Sequence, residues 1–369
     1  MSDLQPLRVG LIGCGNISGA YLNHASDYSS MRIVACSDLN MEAAEAKAQE
    51  YGLESCGVDD LLGREDIDIV LNLTVPQAHA PVNMRALEAG KHAYCEKPFA
   101  LSVAEAERAL ALASEKGLRL GCAPDTFLGG GHQACRKLID EGAIGTPIAG
   151  LALMQTWGVE SWHPNPDFYY LEGGGPAMDM GPYYVTALVN MLGPVAEVAS
   201  MTRRSGERTC TSELHKGRKL KVEVETHLAG NLLFESGAIV TFIMSFDTAQ
   251  SKHKFVEVHG TEGSLSVPDP NNFGGQVMLA TRDSKEFEAV EVKHNYTENY
   301  RSLGLADMAD GILKGRPHRA SGALAAHVLE VLRGMHQAGG QSSAVKIMSR
   351  VERPAAMAEG LVTGELELV

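Results

Sequence analysis

The chain has 369 residues, 44% hydrophobic and 21% charged, a composition and length that fit two globular domains with cores needing no disulfide or metal staple. Asp plus Glu outnumber Lys plus Arg by 46 to 32, a net charge of −14 with histidine neutral. That balance argues against a nucleic-acid partner, whose phosphates call for clustered cations, but leaves room for a small anionic cofactor held by a local nest of N–H donors.

In chain order, the first ~125 residues alternate short apolar runs with helical stretches. Strands are expected at 7–12, 31–36, 67–73, 92–95 and 118–122, and helices at 41–51, 77–89 and 103–116. Ser102 with Glu105 forms a capping box, and Gly90 and Gly117 stand where helices stop. This rhythm predicts βαβ units and a parallel sheet. Gly129-Gly130-Gly131 reads as a hinge. Beyond a helix at 132–140, strands are expected at 147–157, 195–203, 219–228, 238–246, 254–259 and 276–280, with a helix at 179–192 closed by Gly193-Pro194. A late helix starts at Ser321 and presents Leu324, Val328, Val331, Leu332 and Met335 on one face. The expected architecture is an α/β Rossmann domain over 1–126, followed by an α+β domain over 127–369 with a large, mostly antiparallel, open-faced sheet.

The seven cysteines, at 14, 36, 56, 95, 122, 135 and 210, are odd in number and lack C-x-x-C spacing, and the 13 histidines include no H-E-x-x-H pair. No disulfide framework, zinc site or other metal is expected, and a reducing compartment is. Residues 1–8 carry no signal-peptide pattern, and no run approaches the roughly 18 apolar residues of a membrane span. The expectation is a cytoplasmic protein with no membrane partner.

Residues 9–19 read Val-Gly-Leu-Ile-Gly-Cys-Gly-Asn-Ile-Ser-Gly. Gly13 and Gly15 take the first two positions of G-x-G-x-x-G, with Ser18 in the third. Gly13 permits the tight turn out of the strand, Gly15 lets a pyrophosphate approach the backbone, and the following helix, entered through Asn16 and Ile17, aims its N–H groups at the phosphates. Asp38 ends the next apolar run and is placed to accept hydrogen bonds from both ribose hydroxyls while repelling a 2′-phosphate. Loop and acid together favour NAD over NADP. The alternative for Asp38 is a helix-flanking role beside Asn40 as the cap.

Residues 91–98 read Lys-His-Ala-Tyr-Cys-Glu-Lys-Pro. Lys97 follows a strand whose carboxyl end is where parallel sheets bind ligands, and it suits acid–base work on a hydroxyl; the alternative is a surface lysine in a turn. Asp179 and Tyr183 are four apart at the start of the expected helix and share a face. They offer a carboxylate and a phenol for a sugar diol, or else a helix cap and a packed aromatic. Both tryptophans lie at 157 and 162, just upstream. Trp162 and His163 could stack on and hydrogen-bond a sugar ring, or pack an irregular loop at a subunit contact. The basic stretches 203–208 and 216–221 read as a solvated loop and edge strand.

The order of the glycine loop, Pro76 and His79, the Glu96-Lys97-Pro98 box, and Gly-Gly-Gly followed by Asp179-x-Gly-x-Tyr183 resembles the Gfo/Idh/MocA family (glucose–fructose oxidoreductase and inositol dehydrogenase) over essentially the whole chain. The resemblance implies a catalytic set of Lys97, Asp179 and Tyr183, with tyrosine standing where the family usually has histidine. A phenol titrates near about 10 and imidazole near about 6.5, so the proton acceptor is left between Lys97, which is favoured, and Tyr183. It also implies a cofactor lining of Gly13, Gly15, Asn16, Ile17, Asp38, Thr74, Pro76, His79, Glu96 and Lys97, with a structural role at a helix end as the alternative for His79. The implied substrate lining is Lys97, Trp162, His163, Asp179 and Tyr183. The implied activity is NAD-dependent oxidation of a hydroxyl of an aldose, a branched pentose such as apiose, another sugar derivative or a cyclitol. The alternatives are a redox-neutral NAD-using glycosidase or lyase and a non-catalytic nucleotide-sensing regulator. Apolar residues on both faces of second-domain strands predict a homodimer or homotetramer.

Overall fold

The computed structural model describes residues 5–253, 255–284 and 286–368. These divide into two compact units. The first contains 1–130 together with 293–326 and 354–369, and the second contains 131–292 and 327–353.

In the first unit, β1 (Leu7–Ile12), β2 (Met31–Ser37), β3 (Glu54–Ser55), β4 (Ile69–Asn72), β5 (His92–Cys95) and β6 (Leu120–Cys122) form one sheet in the order β3-β2-β1-β4-β5-β6. All its pairings are parallel. This is the doubly wound order in which ligands bind at the strands' carboxyl edge. The strands are near-continuous apolar runs because both sheet faces are covered, and Val9, Leu11, Ile69, Val70 and Leu71 are all fully buried. The helices are α1 (Ser18–Ala25), α2 (Met41–Tyr51), α3 (Val58–Gly63), α4 (Pro76–Glu88) and α5 (Val103–Glu115). The capping box forms at α5, where Ser102 Oγ accepts from the Glu105 N–H and Glu105 returns the bond.

The chain then continues through α6 (Gly130–Asp140), β7 (Pro147–Gln155), α7 (Pro176–Asp179), α8 (Gly181–Leu192), β8 (Val195–Arg203), β9 (Arg208–Thr209), β10 (Lys219–Leu220), β11 (His227–Phe234), β12 (Ile239–Ser245), β13 (Phe255–Gly260), β14 (Gly263–Val267), β15 (Val277–Thr281) and β16 (Glu288–Val290). It ends with α9 (Leu303–Lys314), α10 (Gly322–Gln341) and β17 (Val345–Lys346). The second unit is built on a nine-stranded sheet, β16-β15-β14-β13-β7-β12-β11-β8-β17. Only β7 with β12 is parallel. One face packs against α7 through β11 and β12, and every residue of the following α8 is buried. The other face carries Leu233 opposite Ile239 and Met201 opposite Ala229, and the side chains of Leu233, Ile239 and Met201 are exposed.

Three expectations are corrected. The division at 126/127 becomes discontinuous, because the chain returns to the first unit. Buried Asp125 accepts the N–H groups of Ser302 and Gly304, at 3.3 and 2.9 Å, and so caps α9 there. The strand expected at 219–228 is broken: Lys219–Leu220 pairs with Arg208–Thr209 in a separate two-stranded sheet, and the strand of the large sheet begins at His227. The helix expected to open at Asp179 restarts after it, since Pro182 has no N–H to continue a helix and suits a first turn.

Candidate active site

The carboxyl edge of the first unit's sheet gathers the expected cofactor residues. Gly13 has φ +103°, and a Cβ there would stand 2.6 Å from the carbonyl carbon and oxygen of Leu73, so glycine is required both by conformation and by the close passage of the segment leaving β4. Gly15 is the opposite case. It is exposed, and nothing lies within 4 Å of where its Cβ would be. That is the open approach a pyrophosphate needs, in front of Asn16, Ile17 and the N-terminus of α1, whose first turn is closed by the Ser18 and Ala20 N–H groups donating to the Gly15 and Ile17 carbonyls at 3.1 and 3.0 Å. Ser18 is buried and donates its hydroxyl to the Gly15 carbonyl at 2.7 Å. The residue that departs from the third glycine therefore closes the loop with a bond glycine cannot make.

Asp38 joins this loop to β2. One carboxylate oxygen accepts the Cys14 N–H at 2.8 Å and the other accepts the Asn40 N–H at 2.8 Å. Asn40 itself caps α2 through the Glu42 N–H. A carboxylate offers more acceptor positions than these two bonds use.

At the exit of β4, fully buried Asn72 organises the next turn. Its amide donates to the His79 carbonyl at 3.0 Å and to Asn83 at 2.9 Å, and its oxygen accepts the Thr74 hydroxyl at 2.6 Å. Pro76 opens α4. His79 is buried, with Nδ1 2.7 Å from the Pro98 carbonyl and Nε2 2.9 Å from the Thr74 carbonyl. Burial lowers its pKa from the ordinary imidazole value against the opposing pull of the two carbonyls, and the ring bridges the two loops. Glu96 is also buried. Its Oε1 accepts the Tyr21 hydroxyl at 2.8 Å, and Oε2 accepts the Lys97 N–H at 3.0 Å. Glu96 and His79 thus brace the turn that carries partly exposed Lys97, whose peptide bond to Pro98 is cis. Asn72 and Tyr21 belong to this arrangement and were missed in the sequence. The readable signal for Asn72 was a polar residue closing an otherwise apolar strand.

In the second unit, Asp179 closes α7, its N–H bonded to the Gly175 carbonyl at 2.9 Å. Tyr183 lies in the first turn of α8 and is 5% exposed. Asp179 is not the helix cap, since Met180 holds that position with no side-chain bond. Trp162 is 65% exposed. His163 packs edge-on to Trp162, Phe168 and Tyr169, at ring-centroid distances of 5.3, 5.6 and 4.9 Å. Its Nδ1 accepts the Asn165 N–H at 3.0 Å, so the proton stands on Nε2. Arg208, read from the sequence as part of a solvated loop, instead has a side chain only 10% exposed, beside Glu160 and Asp247.

Residues 7–123 match the oxidoreductase family with an NAD-binding Rossmann fold, and residues 132–266 match the GFO/IDH/MocA C-terminal domain. The chain belongs to the GFO/IDH/MocA family. Within it, the chain is 30% identical over 269 residues to the 1,5-anhydro-D-fructose reductase of Ensifer adhaerens, covering 70% of this chain and 74% of that protein. It is 29% identical over 277 residues to the D-apiose dehydrogenase of Paraburkholderia graminis, covering 72% and 68%. Levoglucosan dehydrogenase in complex with NADH shares the fold at a TM-score of 0.80 with 21% identity, covering 94% of this chain and 100% of that one. The first unit of this GFO/IDH/MocA protein is thus an NAD-binding Rossmann fold. Among the described residues no helix is long and apolar enough to cross a membrane, and no group of three or more His, Cys, Asp or Glu side chains is placed to hold a metal ion. All seven cysteines are free thiols.

Proposed function

We propose that the protein is an NAD-dependent dehydrogenase that oxidises a hydroxyl of a sugar, a sugar derivative or a cyclitol. The observation that carries this reading is the succession along one sheet edge of the glycine loop after β1, Asp38 after β2, the turn 74–76 after β4 and Lys97 after β5. Neighbouring strands are about 4.8 Å apart, so Asp38 and Lys97, three strand spacings apart, flank a seat of about 14 Å along that edge. The adenosine ribose belongs at the Asp38 end and the reacting centre at the Lys97 end. Residues 37–41 contain no Lys or Arg, so Asp38 faces a ribose diol without a cation to welcome a 2′-phosphate, which favours NAD over NADP.

When bound, NAD supplies the hydride acceptor. The remaining work belongs to the chain. Lys97 takes the hydroxyl proton. Asp179 and Tyr183 hold the neighbouring hydroxyls, with the phenol donating to the reacting oxygen. Trp162 and His163 offer an aromatic face and an Nε2–H donor to the ring. Holding the two reacting centres in register supplies most of the barrier reduction. Relatives named for 1,5-anhydro-D-fructose, D-apiose and inositol support the substrate class.

The test is a panel of aldoses, apiose, anhydro sugars and inositols with NAD or NADP. The proposal predicts NADH accumulation with at least one compound and a preference for NAD. Product formation without net NADH points instead to a redox-neutral enzyme. Cofactor binding without turnover on any compound points to a sensor, and either result overturns the reading. The apolar residues on the open face of the large sheet support a homodimer or homotetramer; a scattering mass near the 39.5 kDa of one chain overturns that part.

A further inference from the structure

The segment between β7 and α7 carries both tryptophans of the chain, and its anchor comes from elsewhere in the sequence. The Arg208 side chain, from β9, is 10% exposed and that of Glu160 is 4% exposed. Arg208 Nε donates to Glu160 Oε1 at 2.8 Å and Nη1 donates to Asp247 at 2.6 Å. Nη2 donates to the carbonyls of Trp157 and Phe246, at 2.7 and 2.8 Å. The other Glu160 oxygen accepts the Tyr170 hydroxyl, and the Tyr170 ring lies 5.4 Å from the guanidinium carbon.

The loop backbone is folded directly onto this cluster. Gly158 has φ +96°, and a Cβ there would fall 2.5 Å from Glu160 Oε2 and 2.6 Å from the Tyr170 hydroxyl. One guanidinium therefore ties the start of the loop at Trp157, its first turn at Glu160 and its far side at Tyr170 to the end of β12. Arg218 pairs with Asp167 at 2.9 and 2.7 Å, and His215 meets the Pro164 carbonyl at 2.7 Å, so the same arm touches the loop twice more. A desolvated, multiply bonded guanidinium fixes geometry in a way that an exposed pair does not. Lysine cannot replace its planar fork.

We propose that Arg208 is the positioning residue of the aromatic loop. It fixes the conformation in which Trp162 and His163 meet the sugar, and so sets the fit of the substrate rather than the chemical step. The proposal rests on the reading of those two residues as substrate contacts.

The test compares wild type with Arg208→Lys, which keeps the charge and loses the fork, and with Asp247→Asn, a milder change to the same cluster. The readouts are near-UV circular dichroism and fluorescence anisotropy of the tryptophans, NADH affinity, and steady-state kinetics on the active sugar. Expected for Arg208→Lys are unchanged far-UV dichroism and NADH affinity, a weakened tryptophan near-UV signal with lower anisotropy, and a kcat/KM lower by about tenfold or more, as weakened seating of the sugar gives. That loss is expected mainly in KM, and Asp247→Asn should move the same readouts less. Unchanged tryptophan signals in both variants overturn the proposal even if the protein turns over no sugar at all, which separates its failure from that of the proposed function. A loss confined to kcat overturns it too, because Arg208 then acts on chemistry. Altered tryptophan signals with an unchanged KM also overturn it, because the loop then does not seat the substrate. Should Arg208→Lys fail to fold, Asp247→Asn decides by the same readouts.

Discussion

Gly13 and Gly15 are two residues apart, yet they are constrained for different reasons, and alanine at each separates structure from function. At Gly13, alanine must adopt a left-handed φ, which costs about 1–2 kcal/mol. Its methyl must also displace backbone, not a mobile side chain, at 2.6 Å, and such overpacking costs about 1–3 kcal/mol more. A destabilisation of about 2–5 kcal/mol lowers the Tm of a unit this size by roughly 5–15 °C. At Gly15 there is no left-handed φ and no neighbour within 4 Å, so Gly15→Ala keeps its stability within about 0.5 kcal/mol of wild type and its Tm nearly unchanged. The methyl then occupies space reserved for the pyrophosphate, and NADH affinity falls at least about tenfold, or about 1.4 kcal/mol. Thermal melts and NADH fluorescence titration of both variants check this. Wild-type NADH affinity in Gly15→Ala refutes the loop as the pyrophosphate seat, and a wild-type Tm in Gly13→Ala refutes the steric argument.

Asp38→Ser removes the carboxylate proposed to face the ribose, so the ratio of kcat/KM for NADP to that for NAD should rise at least about tenfold. It also strips the Cys14 and Asn40 N–H groups of their acceptor, which lowers stability by about 1–3 kcal/mol. Burial raises the Asp125 pKa from 3.8 to about 6. The folded protein therefore holds this proton more tightly than the unfolded chain does, and the native state loses stability as pH rises from about 4 to about 6, by up to about 3 kcal/mol. Asp125→Asn lacks that loss, so urea melts should show its stability rising relative to wild type between pH 4 and 7; a constant difference contradicts the argument. Fully buried Asp307 faces Arg316 and Arg319 together. Arg316 keeps Asp310 and Glu367 at 2.7 and 3.0 Å, so Asp307→Asn chiefly deprives buried Arg319 of its close carboxylate and costs about 3 kcal/mol, read as a fall in the urea midpoint.

The parts of the fold legible in the sequence were those with local signals. The capping box at Ser102 and the glycine turn out of β1 each state their geometry within a few residues, and Ser321 does too, accepting the Leu324 N–H at 3.2 Å. What stayed hidden depends on partners distant in sequence. Helix α9 has no cap of its own; the carboxylate that starts it is Asp125, 177 residues upstream of Ser302. That bond is also why the boundary read from the change of rhythm and the Gly129-Gly130-Gly131 hinge was incomplete. Arg208 lies in a basic, turn-rich stretch that looks solvated, and only the fold brings Glu160 and Asp247 to it, 48 and 39 residues away. At the site, residue types could be read from the motif, but the bracing of Lys97 could not. Glu96 reaches Tyr21, 75 residues earlier, and His79 spans the Thr74 and Pro98 carbonyls.

The central claim is that Lys97 carries the proton of a redox reaction on a sugar or polyol hydroxyl. Lys97→Met, assayed with NAD on the compound that gives the highest wild-type rate, tests it most directly. NADH affinity should stay near wild type, because the glycine loop and Asp38 are untouched. Turnover should fall by the 10²–10⁴-fold that a general acid–base group typically contributes. A fall of less than about tenfold, with NADH binding intact, contradicts the assignment.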